Sequence, residues 1–203
     1  MNQLVIVGTG GHTKSCIDVI EKEKKYKIAG FVEKYKSEIK KFMGYPILGE
    51  DKDLKKIKKK YLNAFLTIGQ IRNSLLREKK FNQLISLGFK IPIIISPYAY
   101  VSKKSKIGIG TIIMHKTTIN IDAVVGNNCI INTNSLIEHE VKIGNNTHIS
   151  TGAILNGNVQ IGNNTFIGSG AIVKEGVKIG NKCIVSMGSI IKKDIKDNQV
   201  IKK

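Results

Sequence analysis

From Ile107 to Ile191 one position in every six is aliphatic without a miss, running through Ile113, Ile119, Val125, Ile131, Ile137, Ile143, Ile149, Leu155, Ile161, Ile167, Val173, Ile179 and Val185. Four residues after each of these, up to Val185, stands a small or β-branched side chain, among them Thr111, Ala123, Cys129, Ser135, Thr147, Ala171 and Cys183. No α-helix carries a period of six. A slower beat of 18 lies over the hexads, because Ile107-Gly108, Val125-Gly126, Ile143-Gly144, Ile161-Gly162 and Ile179-Gly180 each stand three hexads after the last. Three hexads per beat describe a triangular coil of three short parallel strands, stacked on like coils above and below. The aliphatic and small residues fill its interior. Chemistry then falls to the outward positions and the corners.

The chain begins differently. Gln3–Gly8 is a short apolar run that ends in Gly8-Thr9-Gly10-Gly11-His12, and a helical face of Cys16, Ile17, Val19 and Ile20 follows. A strand, a glycine turn and a helix N-terminus leave free backbone N–H groups pointing at one spot, which makes an anion site. As a dinucleotide fingerprint the motif is incomplete, since Thr13 stands where the third glycine belongs; a nucleotide phosphate is expected rather than nicotinamide. A second strand over Lys27–Val32 ends in Glu33, near the usual place of a ribose-contacting acid and equally readable as a surface acid at a strand end. Tyr45–Gly49 reads as a turn and short strand, and Asp51–Lys60 as a lysine-faced helix with Leu54 and Ile57 inward. Leu62–Ile68 reads as a third strand closing on Gly69, and Asn73–Leu87 as a helix with Leu75, Leu76, Leu84 and Ile85 available for burial. Alternating strands and helices imply a small Rossmann-like parallel sheet with its ligand site at the carboxyl ends of the strands, at Gly8–His12, Glu33 and Gly69. Pro92 and Pro97 punctuate the junction, which places the boundary near residue 95: residues 1–95 for the α/β domain, 96–203 for the solenoid. Asp197 breaks the aliphatic series, and Asp194–Lys203 reads as a frayed tail.

Composition bounds the partners. Lys and Arg number 33 against 15 acids, a net charge of +18. The lysines are spread along the chain without interleaved aromatics or a recognised motif, so neither nucleic acid nor a membrane is an expected partner. A lysine-rich solvated surface and attraction of phosphate-bearing anionic ligands both account for the charge. Cys16, Cys129 and Cys183 are odd in number and lack metal spacing, and they read as reduced packing residues of a cytoplasmic protein. Leu4–Val7 is too short for a signal peptide or membrane span.

Four histidines exist, His12, His115, His139 and His148, and the hexad register turns the last three outward. His139 lies between Glu138 and Glu140. A carboxylate partner makes histidine a stronger base, but neighbours in an extended strand point oppositely, so a contact with Glu140 requires a corner at that point.

The run Ile131-Asn132-Thr133-Asn134-Ser135-Leu136-Ile137-Glu138-His139-Glu140 is followed by Ile143-Gly144, His148-Ile149-Ser150 and Asn156-Gly157. With Gly8–His12 and Tyr45–Gly49, it resembles the hexapeptide-repeat sugar acetyltransferases that include sialic-acid O-acetyltransferases and bacillosamine-type nucleotide-aminosugar N-acetyltransferases. The resemblance covers nearly the whole chain, and it alone implies a left-handed β-helix, because ordinary crossovers favour the right hand. It further implies a homotrimer with acetyl-CoA bound between subunits and no metal. The position of His139 is that of the general base, and that of Glu140 the acid raising its basicity. His148, Ser169 and Met187 match acetyl-CoA contacts, and Gly157 offers a backbone N–H near the thioester carbonyl. Gly10, Gly11, His12, Glu33, Lys34 and Gly69 match the nucleotide-sugar side. Two departures stand out: the sequence lacks the Gly-x-Pro-Ala-Lys tail common in the family, and Lys34 stands where an acid is usual.

The reaction so implied is direct acetyl transfer to a sugar amine in surface-glycan biosynthesis, without a covalent enzyme intermediate, since no cysteine stands outward beside His139. A sialic-acid hydroxyl is the alternative acceptor. Two other classes are open: a carbonic-anhydrase-like metalloenzyme using His115, His139 and His148, and a non-catalytic scaffold. His139 and His148 are nine residues apart, half of one coil, so a base and a CoA contact meet most easily across a subunit interface that also buries outward apolar residues such as Phe166.

Overall fold

The structure, a computed structural model, describes residues 2–33, 40–71 and 73–202. Lys34 lies outside the described residues.

The first half is an α/β layer. Strand β1 (Asn2–Val7) runs into α1 (Gly11–Glu23), followed by β2 (Tyr26–Glu33), β3 (Lys41–Phe42), β4 (Tyr45–Glu50), a 3₁₀ turn at Asp51–Asp53, α2 (Leu54–Lys60), β5 (Asn63–Leu66) and α3 (Leu75–Ser86). The sheet order is β3-β4-β2-β1-β5, parallel except for the β3–β4 hairpin. β1 is fully buried from Leu4 to Val7, which is why it reads as a continuous apolar run rather than an alternating one. Its connection leaves toward β2, whereas β5 enters on the other side. The crevice at the carboxyl ends therefore opens between Gly8–Thr9 and Thr67–Gly69.

The face of α3 differs from the reading of its aliphatic residues. Leu75, Leu76 and Ile85 are exposed, while Arg77, Phe81 and Leu84 are buried. Arg77 sets this choice. Its guanidinium donates to the carbonyls of Leu66 and Ile68 at 3.2 and 2.7 Å and, through Nε, to the carbonyl of Asn128 in the solenoid at 3.2 Å. Three fixed acceptors outweigh the burial of a leucine, because an unpaired carbonyl in a dry interior costs more than an exposed side chain gains.

The second half stacks two-residue strands from Ile94–Ile95 to Val200–Ile201 into three parallel sheets, each strand pairing with those 18 residues away where the repeat is regular. This is a left-handed parallel β-helix with the aliphatic of every hexad inside. Every sixth residue from Gly110 to Gly188 takes a left-handed backbone conformation, and glycine, asparagine or aspartate fills most of these corners as that geometry favours. The Ile-Gly beat has a separate cause. A Cβ at Gly144 or Gly162 would come within 2.7 or 2.5 Å of backbone in the next coil. Glycine lets the coils close there, and the asparagine that follows bridges them: Asn145, Asn163 and Asn181 each accept the backbone N–H one coil earlier at 2.8 Å.

Residues 194–202 are not frayed. Asp197 takes the next rung of this ladder, accepting the N–H of Asn181 at 2.8 Å, and those hydrogen bonds hold its carboxyl below the usual range. Ile195 bridges Ile179, and Val200–Ile201 pairs with Ile184–Val185. At the other end Lys90 still bridges Asn63 of the α/β sheet, whereas Ile94–Ile95 already pairs with Ile112–Ile113.

If coil closure depends on the missing Cβ, Gly162→Ala should lower stability by about 1–3 kcal/mol, the usual cost of overpacking. Gly152→Ala, where a Cβ meets open space but φ is +65°, should cost only the roughly 1–2 kcal/mol of a left-handed residue. Urea midpoints of the two variants test the order.

Candidate active site

Three clusters carry the polar side chains, one at each of two solenoid corners and one at the seam between the domains. At the first corner, strand Leu136–Ile137 ends and the chain turns through His139 and Glu140. Glu140 has φ +61°, one of the few long side chains in the left-handed series. That conformation costs about 1–2 kcal/mol, and it supplies the corner needed to bring neighbouring side chains together. His139 Nδ1 donates to Glu140 Oε2 at 3.1 Å. This bond fixes the tautomer and leaves the Nε2 lone pair free as a base. One coil further on, a Cβ at Gly157 would lie 2.6 Å from Nε2, so glycine is required beneath the ring. Glu138 points elsewhere, accepting from Asn120 Nδ2 at 3.0 Å.

At the second corner Ser169 and Met187 lie on successive coils, both exposed, with Met187 74% accessible. Ser150 Oγ hydrogen-bonds Ser169 Oγ at 2.9 Å. Between the two corners runs a single face whose outward residues stack in register: Tyr100, Thr118, Leu136, Ile154, Ile172 and Ile190. It carries no charge. Phe166 belongs to a different face, where its ring packs edge-on to His148 with 5.2 Å between centroids.

The seam holds His148, which the hexad register turns outward but the α/β domain covers. It is 7% exposed; Nδ1 donates to the Gln70 carbonyl at 2.6 Å, and Nε2 accepts from Asn132 Nδ2 at 3.2 Å. Neither ring nitrogen is free, because the α/β domain covers the face that the hexad register turns outward. His12 faces it at 6.5 Å between ring centroids and meets Cys16 Sγ at 3.3 Å. Burial, with Arg77 and His148 nearby, lowers His12 to about 3, and burial chiefly lowers His148 to about 4. Both rings are neutral near pH 7. Arg77 is lowered by burial to about 10 and stays cationic.

Gly10 and Gly11 open α1, and a Cβ on either would meet nothing within 4 Å. A Cβ added at Gly69 would meet the His12 side chain at 3.4 Å, and Glu33 ends β2. Thr13, in place of a third glycine, is buried and shares a hydrogen bond of 3.0 Å with Thr67 Oγ1, which locks α1 to the end of β5. A cavity of about 160 Å³ bounded by Gly8, Thr9, Val32, Asp51, Ile68 and Lys80 lies at these strand ends.

Sequence reasoning missed Arg77 and Gln70. Gln70 directly follows Gly69, and Arg77 lies in the first turn of the helix after it; position was their only signal. His115 also sits at the seam, donating from Nε2 to Asp18 at 2.7 Å and accepting from Ser96 Oγ at 2.5 Å. His115, His139 and His148 thus serve three different sets of partners, and among the described residues no group of three or more metal-ligating side chains converges. Nothing in one chain gathers those three rings for a metal.

The fold is that of a hexapeptide-repeat acyltransferase with an α/β domain before the repeats. Residues 3–84 match the PglD N-terminal domain, 122–157 the bacterial transferase hexapeptide (six repeats), and 158–193 the hexapeptide repeat of succinyl-transferase. The chain thus carries a PglD N-terminal domain followed by hexapeptide repeats, and its structural neighbours are CoA-dependent sugar acetyltransferases of the PglD and NeuD type. No curated protein is matched by the sequence comparison. Among solved structures, PerB from Caulobacter crescentus in complex with CoA and GDP-perosamine is 29% identical, with a TM-score of 0.91 over 98% of this chain and 93% of that one. A variant of the same organism's perosamine N-acetyltransferase, with a histidine replaced by asparagine, is 28% identical with a TM-score of 0.90 over the same shares. The acetyltransferase domain of PglB from Neisseria gonorrhoeae in complex with acetyl coenzyme A is 27% identical, with a TM-score of 0.90 over 98% and 96%. No helix among the described residues is long and apolar enough to cross a membrane.

The two buried imidazoles tie stability to pH. Their folded values lie below the 6.5 of a free histidine, so the unfolded chain binds more protons once the pH drops below 6.5. Stability should be full above that value and fall as pH drops toward 4, by about 1–2 kcal/mol per ring at pH 5. Urea midpoints at pH 7 and pH 5 check this, and His148→Gln should flatten the dependence.

Proposed function

We propose that the protein is an acetyl-CoA-dependent N-acetyltransferase acting on a nucleotide-linked 4-amino sugar in bacterial surface-glycan biosynthesis. The observation that carries this reading is the corner at which Glu140 orients His139 with Nε2 free above Gly157. The neighbouring structures with CoA, acetyl-CoA and GDP-perosamine support both substrates. In this reading residues 96–203 hold acetyl-CoA and residues 1–95 hold the nucleotide, with the phosphates at Gly10, Gly11 and His12, the ribose near Glu33, and Gly69 beneath. Lys34 follows directly after Glu33.

The amine nitrogen attacks the thioester carbonyl carbon, and His139 Nε2 takes the proton that the nitrogen loses. Glu140 holds the ring and stabilises the imidazolium that forms. The backbone N–H of Gly157 faces the oxyanion of the tetrahedral intermediate. Collapse breaks the C–S bond, and the proton on His139 passes to the departing thiolate, giving the amide and free CoA. Cys16 and Cys129 are buried with thiols pushed up to about 12 and 11, which leaves no ready nucleophile for a covalent route.

The working form is a homotrimer in the cytoplasm. The uncharged face from Tyr100 to Ile190 supports this, because Ile172 and Ile190 are 37% and 65% exposed in the single chain. It is flanked by the His139 corner on one side and the Ser169–Met187 corner on the other. Packing this face around a threefold axis places the base of one subunit against the acetyl-CoA contacts of the next.

Mixing the protein with acetyl-CoA and either a nucleotide-linked 4-amino sugar or sialic acid, and following CoA thiol release, tests the reading. Turnover with the amine alone is expected; turnover with sialic acid alone would replace it with O-acetylation. His139→Ala should lower kcat by ~10²–10⁴ with little change in acetyl-CoA affinity. Gly11→Val, which has room in the fold, should raise the acceptor KM at least tenfold more than the acetyl-CoA KM if the turn holds phosphate. Equal effects on both would make the turn merely structural.

A further inference from the structure

The solenoid presents three faces, and among the described residues lysine takes the outward strand positions of one of them alone. The face under the α/β domain carries Ile112, Ile130, His148, Phe166 and Ile184. The uncharged face runs from Tyr100 to Ile190. The third carries Lys106, Val124, Lys142, Gln160 and Lys178 in register. Like charges directly opposite on neighbouring strands repel, and the neutral residues between them hold successive lysines two coils, about 10 Å, apart. The final partial coil adds Lys196, which the bridge from Ile195 to Ile179 sets diagonally across from Lys178. Lysines that are spread along the sequence thus gather on the fold into one basic stripe.

The C-terminal part of that stripe borders an open groove of about 730 Å³. Its floor is formed by Gly144, Gly162 and Gly180, which coil closure keeps free of side chains, and Lys142, Lys178 and Lys196 stand along it. Asp194 closes the end, and its Oδ1 accepts the Lys178 backbone N–H at 2.9 Å. Three ammonium groups therefore share the groove with one carboxylate, and that carboxylate is engaged in closing the coil. The groove starts beside the His139 corner, since Lys142 is three residues further along the same coil. From there it climbs toward the C-terminal coils, the direction in which Gly157 and then Met187 lie. In the proposed trimer the uncharged faces pack around the threefold axis and the α/β domain covers a second face. The lysine face is then one wall of the outer cleft that begins at His139, and the Ser169–Met187 corner of the next subunit bounds the other side. A thioester held at His139, with its carrier running up this cleft, brings the carrier's phosphates to Lys178 and Lys196.

We propose that the lysine groove holds the phosphates of acetyl-CoA, with the ribose 3′-phosphate seated between Lys178 and Lys196. A phosphate monoester is largely a dianion at pH 7, and it accepts hydrogen bonds from two ammonium groups at once. Lys142 lies nearer the His139 corner, beside the arm that links thioester and phosphates. The subunit that supplies the base thereby also anchors the far end of the co-substrate, while its neighbour contacts the acyl end. The proposal rests on the acetyl-CoA reading of the preceding section and assigns the part of the site that holds the nucleotide. An exposed ion pair is worth little singly; two charge-assisted hydrogen bonds to one dianion in a cleft are worth about tenfold in affinity.

Calorimetric titration of the full chain with CoA and with 3′-dephospho-CoA reads this directly. The wild type should bind CoA about tenfold more tightly than the dephospho form, and raised salt should erode that preference. In the double variant Lys178→Gln/Lys196→Gln, whose two sites are exposed and carry no packing, CoA affinity should fall to that of the dephospho form. Lys106→Gln, on the same face but outside the groove, is the control and should leave both affinities where they were. A preference that survives in the double variant, an equal loss for the two ligands, or the same loss in Lys106→Gln would overturn the assignment, because each would reduce the stripe to diffuse attraction or to none. If the wild type binds neither form, the acetyl-CoA reading itself fails and this proposal with it. If it binds both forms equally well, only the present proposal falls.

Discussion

Coil stacking at the corners is the constraint on which the rest of the molecule depends. Two-residue strands are too short to hold register by themselves, so the spacing is set where the chain turns: a left-handed residue at every sixth position, and a glycine every 18 that lets one coil approach the next. The asparagine ladder then satisfies backbone N–H groups that a turn would otherwise leave exposed. A scaffold built this way holds corner side chains to fixed positions from coil to coil. His139 above Gly157, and Ser169 beside Met187 one coil on, are consequences of that spacing.

The same corners carry the domain seam. The left-handed asparagines that shape the solenoid also present the carbonyl and amide oxygens to which Arg77, Gln70 and Ser74 bind. The α/β domain is thereby docked with the register of the β-helix, and its crevice is held at a defined height along the solenoid axis. A buried guanidinium without a carboxylate partner is costly to desolvate; three carbonyls offset that cost only if both domains are in place. The seam thus links the geometry of the crevice at the strand ends to the geometry of the coils.

Much of this was legible in the sequence. The hexad series specified a triangular solenoid, the Ile-Gly beat its coil length, and Gly8–His12 with Gly69 the crevice of the small sheet. The turn needed to join His139 to Glu140 followed from strand geometry, and the structure places it there. What escaped the sequence were choices made by tertiary contacts. The helix after Gly69 buries Arg77 rather than Leu75 and Ile85, because carbonyl acceptors in two domains are invisible to periodicity. His148 and Phe166 were correctly turned outward from the solenoid, but the hexad pattern cannot say that a second domain lies over that face. Asp194–Lys202 lost the aliphatic beat and yet closes one more partial coil, since Asp197 replaces asparagine in the ladder.

In the proposed homotrimer each active site is shared, with the base from one subunit and the acetyl-CoA corner from its neighbour. Two inactive proteins test it most directly: His139→Ala, and Ser169→Trp, which fills the exposed second corner without touching the first. Mixed trimers, isolated through different affinity tags after subunit exchange, should regain activity, because every mixed trimer has both native corners at one of its three interfaces, about a third of the wild-type sites. Isolated mixed trimers that stay silent, or an active wild-type protein that sediments as a monomer, would contradict it.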